Sequence, residues 1–180
     1  KAEGDHKFSI QKYGVKIPML VSVKSTDRPI VVDFGYMQFA SGGRGPMNMA
    51  LRSQIFDLAG FDYIHVGIPG VSGYGKQFFE LGKNGFNGLY QELLDHLDGF
   101  FSRESKLNER FRGLYTYGMF APAVADYLIK NPKEYEFCIA LNPIFDARIS
   151  GTHHTQYLRN RGIPFFAQDE WIGDTDNRNS

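Results

Sequence analysis

Cysteine is nearly absent from the chain, and this narrows the chemistry that the chain can carry. The one cysteine, Cys138, cannot form a disulfide within the chain and cannot build a zinc site with other thiolates. It lies in the apolar run 137–141, where a free cysteine behaves as a small hydrophobic residue. We therefore expect Cys138 to be buried, and the cysteine count leaves the redox compartment open.

Net charge and long apolar runs are lacking as well. The 20 basic and 20 acidic residues cancel, which argues against a nucleic-acid partner or an anionic membrane surface. No apolar run approaches the ~20 residues that cross a bilayer, so no membrane span is expected. A chain of 180 residues is long enough for one domain with a core. We expect a single domain over 1–180, with residues 165–180 as an irregular tail.

Segments that could suggest a phosphate-binding or metal-binding motif do not match the spacing that such a motif requires. Residues 67–75 are rich in glycine, but their spacing is not G-x-G-x-x-G and Pro69 removes an amide that could bind phosphate. We predict a tight loop with glycines at positive φ there. His153, His154 and Asp146 could suggest a metal site, yet adjacent histidine side chains diverge and no H-E-x-x-H spacing exists. No cofactor and no metal ion are therefore expected.

Strands and helices alternate along the chain. Two early strands are expected to form a hairpin, and the later strands are short apolar runs, as in strands that are covered on both faces. In the first predicted helix, apolar residues recur at helical spacing. The pattern predicts an α/β fold with a mostly parallel sheet and helices on both faces. The predicted strands are residues 8–10, 17–23, 30–34, 62–67, 111–115 and 137–141, and the predicted helices are 47–58 (with Met47, Leu51, Ile55 and Leu58), 89–101, one with Pro122 in its first turn that ends at Asn131, and 153–161.

Segment 112–120 has the pattern of a nucleophile elbow in which threonine replaces serine. An elbow is a sharp strand-to-helix turn that lifts a hydroxyl above a sheet, and its signature is G-x-S-x-G. Gly118 keeps the second glycine, whereas Leu114 stands at the first glycine and Thr116 at the serine. The branched Cβ of threonine is poorly suited to the strained backbone of an elbow. The pattern predicts the scaffold of a serine hydrolase with a compromised nucleophile.

A complete catalytic triad is not expected within the chain. A serine hydrolase needs a histidine and a carboxylate, and in α/β-hydrolases both follow the nucleophile along the chain. Asp146 with His153 or His154 offers this order. The short spacing between acid and base, however, leaves little room for the helix and strand that should separate them.

Several segments match one known peptidase domain, in order and at similar spacing. Residues 28–34 are similar to the third strand of that domain, which leads into an oxyanion loop, and residues 68–75 end in S-G-Y-G like its loop R-G-S-G-Y-G. Residues 85–101 are similar to the helix before the elbow, and residues 116–118 match the S-Y-G of the elbow. Residues 139–143 match a strand that ends in A-P or S-P, and residues 155–164 are similar to the segment T-E-R-Y-x-G-x-P. The chain thus resembles the α/β-hydrolase domain of the prolyl oligopeptidase class, peptidase family S9, and within it the dipeptidyl peptidases.

This resemblance assigns roles to particular residues. Thr116 takes the position of the nucleophile as a vestige, and Tyr117 and Tyr36 take oxyanion positions, although Tyr36 is shifted by one residue. Leu114 and Met119 replace two glycines of the elbow. The triad Asp and His of the family fall beyond the last residue of this chain, and its β-propeller is missing. The resemblance therefore implies an α/β-hydrolase-like fold that is truncated before the last strands.

Two functions from different classes follow from these observations. The first is a non-catalytic, dipeptidyl-peptidase-like domain that acts by protein interaction, because a sheet that stops after the strand of Cys138 exposes an apolar edge. A protein partner, a second chain or another copy would cover this edge. The alternative is a fragment of a serine-type peptidase or esterase, completed by residues or a chain not present here. A third possibility is a small-molecule binder with its pocket beside Thr116. The resemblance favours an extracellular or lumenal location.

Overall fold

The computed structural model describes residues 2–10, 13–34, 45–70, 75–82, 88–104, 107 and 110–145. Within them, six strands form one sheet and four α-helices pack on it or beside it. The strands are β1 (Ala2–Ile10), β2 (Val15–Val23), β3 (Ile30–Phe34), β4 (Asp62–Val66), β5 (Arg112–Tyr117) and β6 (Phe137–Leu141), and the helices are α1 (Gly45–Leu58), α2 (Lys76–Leu81), α3 (Tyr90–Arg103) and α4 (Ala121–Lys130).

The strand order in the sheet is β1-β2-β4-β3-β5-β6. Strands β1 and β2 form the predicted antiparallel hairpin, and β2 is also antiparallel to β4. The remaining neighbours, β4-β3, β3-β5 and β5-β6, are parallel. The predicted α/β class with a mostly parallel sheet and helices on both faces is confirmed.

One face of the sheet carries the main hydrophobic core, and we call it the core face. Val32, Ile64 and Leu114 lie in register on this face and are fully buried. They share one apolar cluster with buried side chains of α3 and α4. The apolar stripe predicted for α3 is buried as expected. It consists of Leu89, Leu93, Leu94, Leu97 and Phe101.

The opposite face, which we call the α1 face, is more polar. Asp33, His65 and Tyr115 lie in register there, because residues paired across neighbouring strands point to the same side. Helix α1 covers this part of the sheet with Phe56, whose ring contacts Tyr115 with centroids 5.6 Å apart. The two faces therefore differ in chemistry as well as in the helices that cover them.

Helix α1 is oriented differently from what its apolar spacing suggests. Leu51, Ile55 and Leu58 point to solvent, and Leu58 is 88% exposed. Arg52 and Phe56 face the sheet instead. The reason is the polarity of the α1 face. Its carboxylate, Asp33, pairs with the guanidinium of Arg52, and its aromatic rings pack against the ring of Phe56. Branched aliphatic side chains would interact less well with these groups.

The expected burial of Cys138 is wrong. Cys138 is exposed, and so are the three residues that follow it in β6. The physical reason is topological: β6 is the last strand at one edge of the sheet and, among the described residues, pairs with β5 alone. An apolar strand sequence does not reveal whether a further strand or helix covers it.

The glycine-rich segment 67–75 behaves as predicted where it is described. Gly70 and Gly75 have φ of 99° and 95°, values that favour glycine. Residues 71–74 lie outside the described part of the chain, as do Tyr36, Asp146, His153 and His154. Of the helices that the structure describes, none has the length and apolar character needed to cross a bilayer. Likewise, the described residues contain no group of three potential metal ligands.

Candidate active site at the end of strand β5

The strand-turn-helix unit predicted for an elbow is present after β5. The strand continues to Tyr117, a 3-10 turn spans Gly118–Phe120, and α4 follows directly. The residue with left-handed backbone is Gly118, at φ 56°. In a nucleophile elbow the hydroxyl-bearing residue itself occupies the sharp turn. Here the sharp turn falls on a residue without a side chain.

Thr116 lies two residues before that turn, inside the strand. It pairs in register with Ala140 and, being two residues after Leu114, points to the core face. Its side chain is almost completely buried, at 1% exposure, and Oγ1 has no hydrogen-bond partner among the residues that the structure describes. In this position the hydroxyl is out of reach of a substrate in the solvent.

The strand boundary explains this placement. The predicted strand ends at Tyr115, whereas β5 extends two residues further because Thr116 and Tyr117 pair with Ala140 and Leu141 of β6. The Tyr117 side chain emerges on the α1 face and is partly exposed. The oxyanion roles of Tyr117 and of Tyr36, which lies outside the described residues, stay predictions.

The burial of Thr116 gives a first testable prediction. Replacing Thr116 with valine keeps the shape of the side chain and removes a buried hydroxyl for which the described residues provide no hydrogen-bond partner. Burying such a group costs about 1–3 kcal/mol in proteins, so we expect Thr116→Val to raise the free energy of unfolding by about 1 kcal/mol. Urea denaturation measures this change. A lower stability for Thr116→Val than for the unchanged chain would mean that the hydroxyl is hydrogen-bonded.

A buried polar cluster at the carboxyl ends of β3 and β4 was missed by sequence reasoning. Asp33 is fully buried, and its Oδ2 accepts hydrogen bonds from Tyr63 Oη and from Arg52 Nη1, the latter at 3.1 Å. The guanidinium of Arg52 also lies over the Tyr115 ring, 5.1 Å from its centroid. The sequence did contain a signal for this cluster, because Asp33 and His65 are polar residues at the fourth position of two short buried strands.

The cluster holds Asp33 in its charged form. Burial by itself raises the pKa of Asp33, but His65, Tyr63 and Arg52 together bring this pKa below its ordinary value. Burial and the neighbouring carboxylate raise the pKa of Tyr63, so its phenol stays protonated and donates. His65 Nδ1 lies 3.5 Å from Asp33 Oδ2, at the outer limit for a hydrogen bond, and has no closer polar partner among the described residues. The cluster therefore attaches α1 to the sheet.

A cavity of about 320 Å³ opens at the other end of the sheet. It lies at the amino ends of β3 and β5, where Arg28, Pro29 and Phe111 contribute to its walls. Parallel α/β sheets bind ligands beyond the carboxyl ends of their strands. This cavity is therefore distant from the turn at Gly118 and is not a hydrolase cleft.

The strand order, the strand-turn-helix unit after β5 and the helices on both faces can be compared with known proteins. No protein-family model matches the chain, and no curated protein matches it. Solved structures do match, with TM-scores above one half. The fold is that of the α/β-hydrolases.

Three of these similar structures illustrate the range. A dienelactone hydrolase from Anabaena variabilis matches with a TM-score of 0.58 and 12% identity over 86% of this chain and 70% of the hydrolase. A post-proline cleaving enzyme from Rickettsia typhi matches with a TM-score of 0.56 and 13% identity over 81% of this chain and 21% of the enzyme. An acylaminoacyl peptidase from Pyrococcus horikoshii matches with a TM-score of 0.52 and 16% identity, over 80% of this chain and 23% of the peptidase.

These matches show how much this chain shares with the solved structures. The chain spans less than a quarter of the length of the peptidase and of the post-proline cleaving enzyme. At identities below 20% the likeness concerns the fold alone. The predicted α/β-hydrolase fold, of the kind found in family S9 proteins, is confirmed at this level, and activity has to be argued from the residues of the chain itself.

Proposed function

We propose that this chain is a non-catalytic, dipeptidyl-peptidase-like α/β-hydrolase domain that acts by protein interaction. The observation that carries the first half of the proposal is the geometry at the end of β5. Acyl transfer needs an accessible hydroxyl beside a base. Thr116 Oγ1 is buried on the core face with no hydrogen-bond partner in the described part of the chain, and Gly118 at the turn has no side chain to replace it.

The second half rests on the edge strand β6. Its five residues carry no charge, and Ile139 and Leu141 are each more than two-fifths exposed. Exposed apolar side chains on an edge strand offer both contact area and backbone groups to another protein. An uncharged edge without lysine or proline is the kind that folded proteins normally cover.

A fluorophosphonate probe, which reacts with activated hydroxyl nucleophiles, tests the non-catalytic assignment. We expect no stoichiometric labelling of the native chain, with an active serine hydrolase labelled in parallel as the positive control. Thr116→Ser should stay unlabelled too, because a serine at this strand position also faces the core. Stoichiometric labelling that disappears in Thr116→Ala would establish the alternative, a fragment of a serine-type peptidase or esterase.

A further inference from the structure

We draw no further inference here: the strongest candidate, the cavity of about 320 Å³ at the amino ends of β3 and β5, points to no ligand, because the guanidinium of Arg28 already donates to Asp57 and to backbone carbonyls, and Nη1 of Arg110, which has no hydrogen-bond partner among the described residues, is buried out of reach of solvent.

Discussion

Asp33→Ala is expected to lower the free energy of unfolding by about 3 kcal/mol, as measured by urea denaturation. Removing one member of a buried ion pair typically costs about 3–5 kcal/mol. The lower end applies because the Arg52 side chain retains 18% exposure. Tyr63 Oη also loses the carboxylate to which it donates. The loss should weaken the attachment of α1 to the sheet.

A double substitution separates charge from packing. Asp33→Ala combined with Arg52→Met removes both charges, so we expect it to recover a large part of the loss. A double variant no more stable than Asp33→Ala alone would contradict the view that the lost charge interaction between Asp33 and Arg52 carries the cost. Asp27→Ala, at an exposed carboxylate, is the matched control and should change little.

The pH dependence gives a second measurement of the same interaction. The folded pKa of Asp33 is below the unfolded value of about 3.9. Its contribution is therefore complete above about pH 4 and is lost as the pH falls through the lower folded pKa. The difference in unfolding free energy between the unchanged chain and Asp33→Asn should shrink in this acid range. A difference that stays constant there would show that the charge of Asp33 contributes nothing.

Gly82→Ala is expected to lower the free energy of unfolding by about 2–3 kcal/mol, through overpacking against backbone. Gly82 follows α2 and is buried, and a Cβ placed on it would lie 2.2 Å from the Cα of Gly70. Gly70 cannot yield easily because its own φ of 99° is a glycine conformation and its amide donates to the Phe78 carbonyl at 3.1 Å. Chemical denaturation again measures the change.

Gly99→Ala is the matched control for this substitution. Gly99 lies within α3, and a Cβ there would have ordinary contact with the flexible end of the Arg103 side chain, at 3.4 Å. Alanine is favoured over glycine in a helix by about 1 kcal/mol, so Gly99→Ala should stabilise the chain. Equal losses at the two positions would argue against the close approach of Gly82 to Gly70.

Much of the fold could be predicted from local patterns. The strands Ile30–Phe34 and Phe137–Leu141 have the predicted bounds, and the stripe of leucines in α3 is buried as expected. These features depend on the chemistry of short segments, which a sequence displays directly. Helix α1 lies close to its predicted position, yet its Leu51, Ile55 and Leu58 face solvent, because the polarity of the strands beneath it depends on how the sheet is assembled.

The candidate site was less predictable. The pattern around Thr116 correctly indicated a strand that turns into a helix, but the position of the turn depends on how far β6 pairs with β5. That pairing joins residues that are 24 positions apart, as for Thr116 and Ala140, and has no local signal. Asp33 and His65 likewise become neighbours through parallel strand pairing alone.

The sequence by itself determined the α/β class with a mostly parallel sheet, which follows from residue identity and periodicity and therefore acts locally. Its resemblance to the prolyl oligopeptidase class implied the α/β-hydrolase form of that fold, with threonine at position 116. The tertiary structure alone decided that Thr116 points into the core, that the left-handed turn falls on Gly118, and that Cys138 and the outer side of α1 are exposed. Burial and register are set by which elements become neighbours, and this depends on contacts between residues that are far apart in the chain.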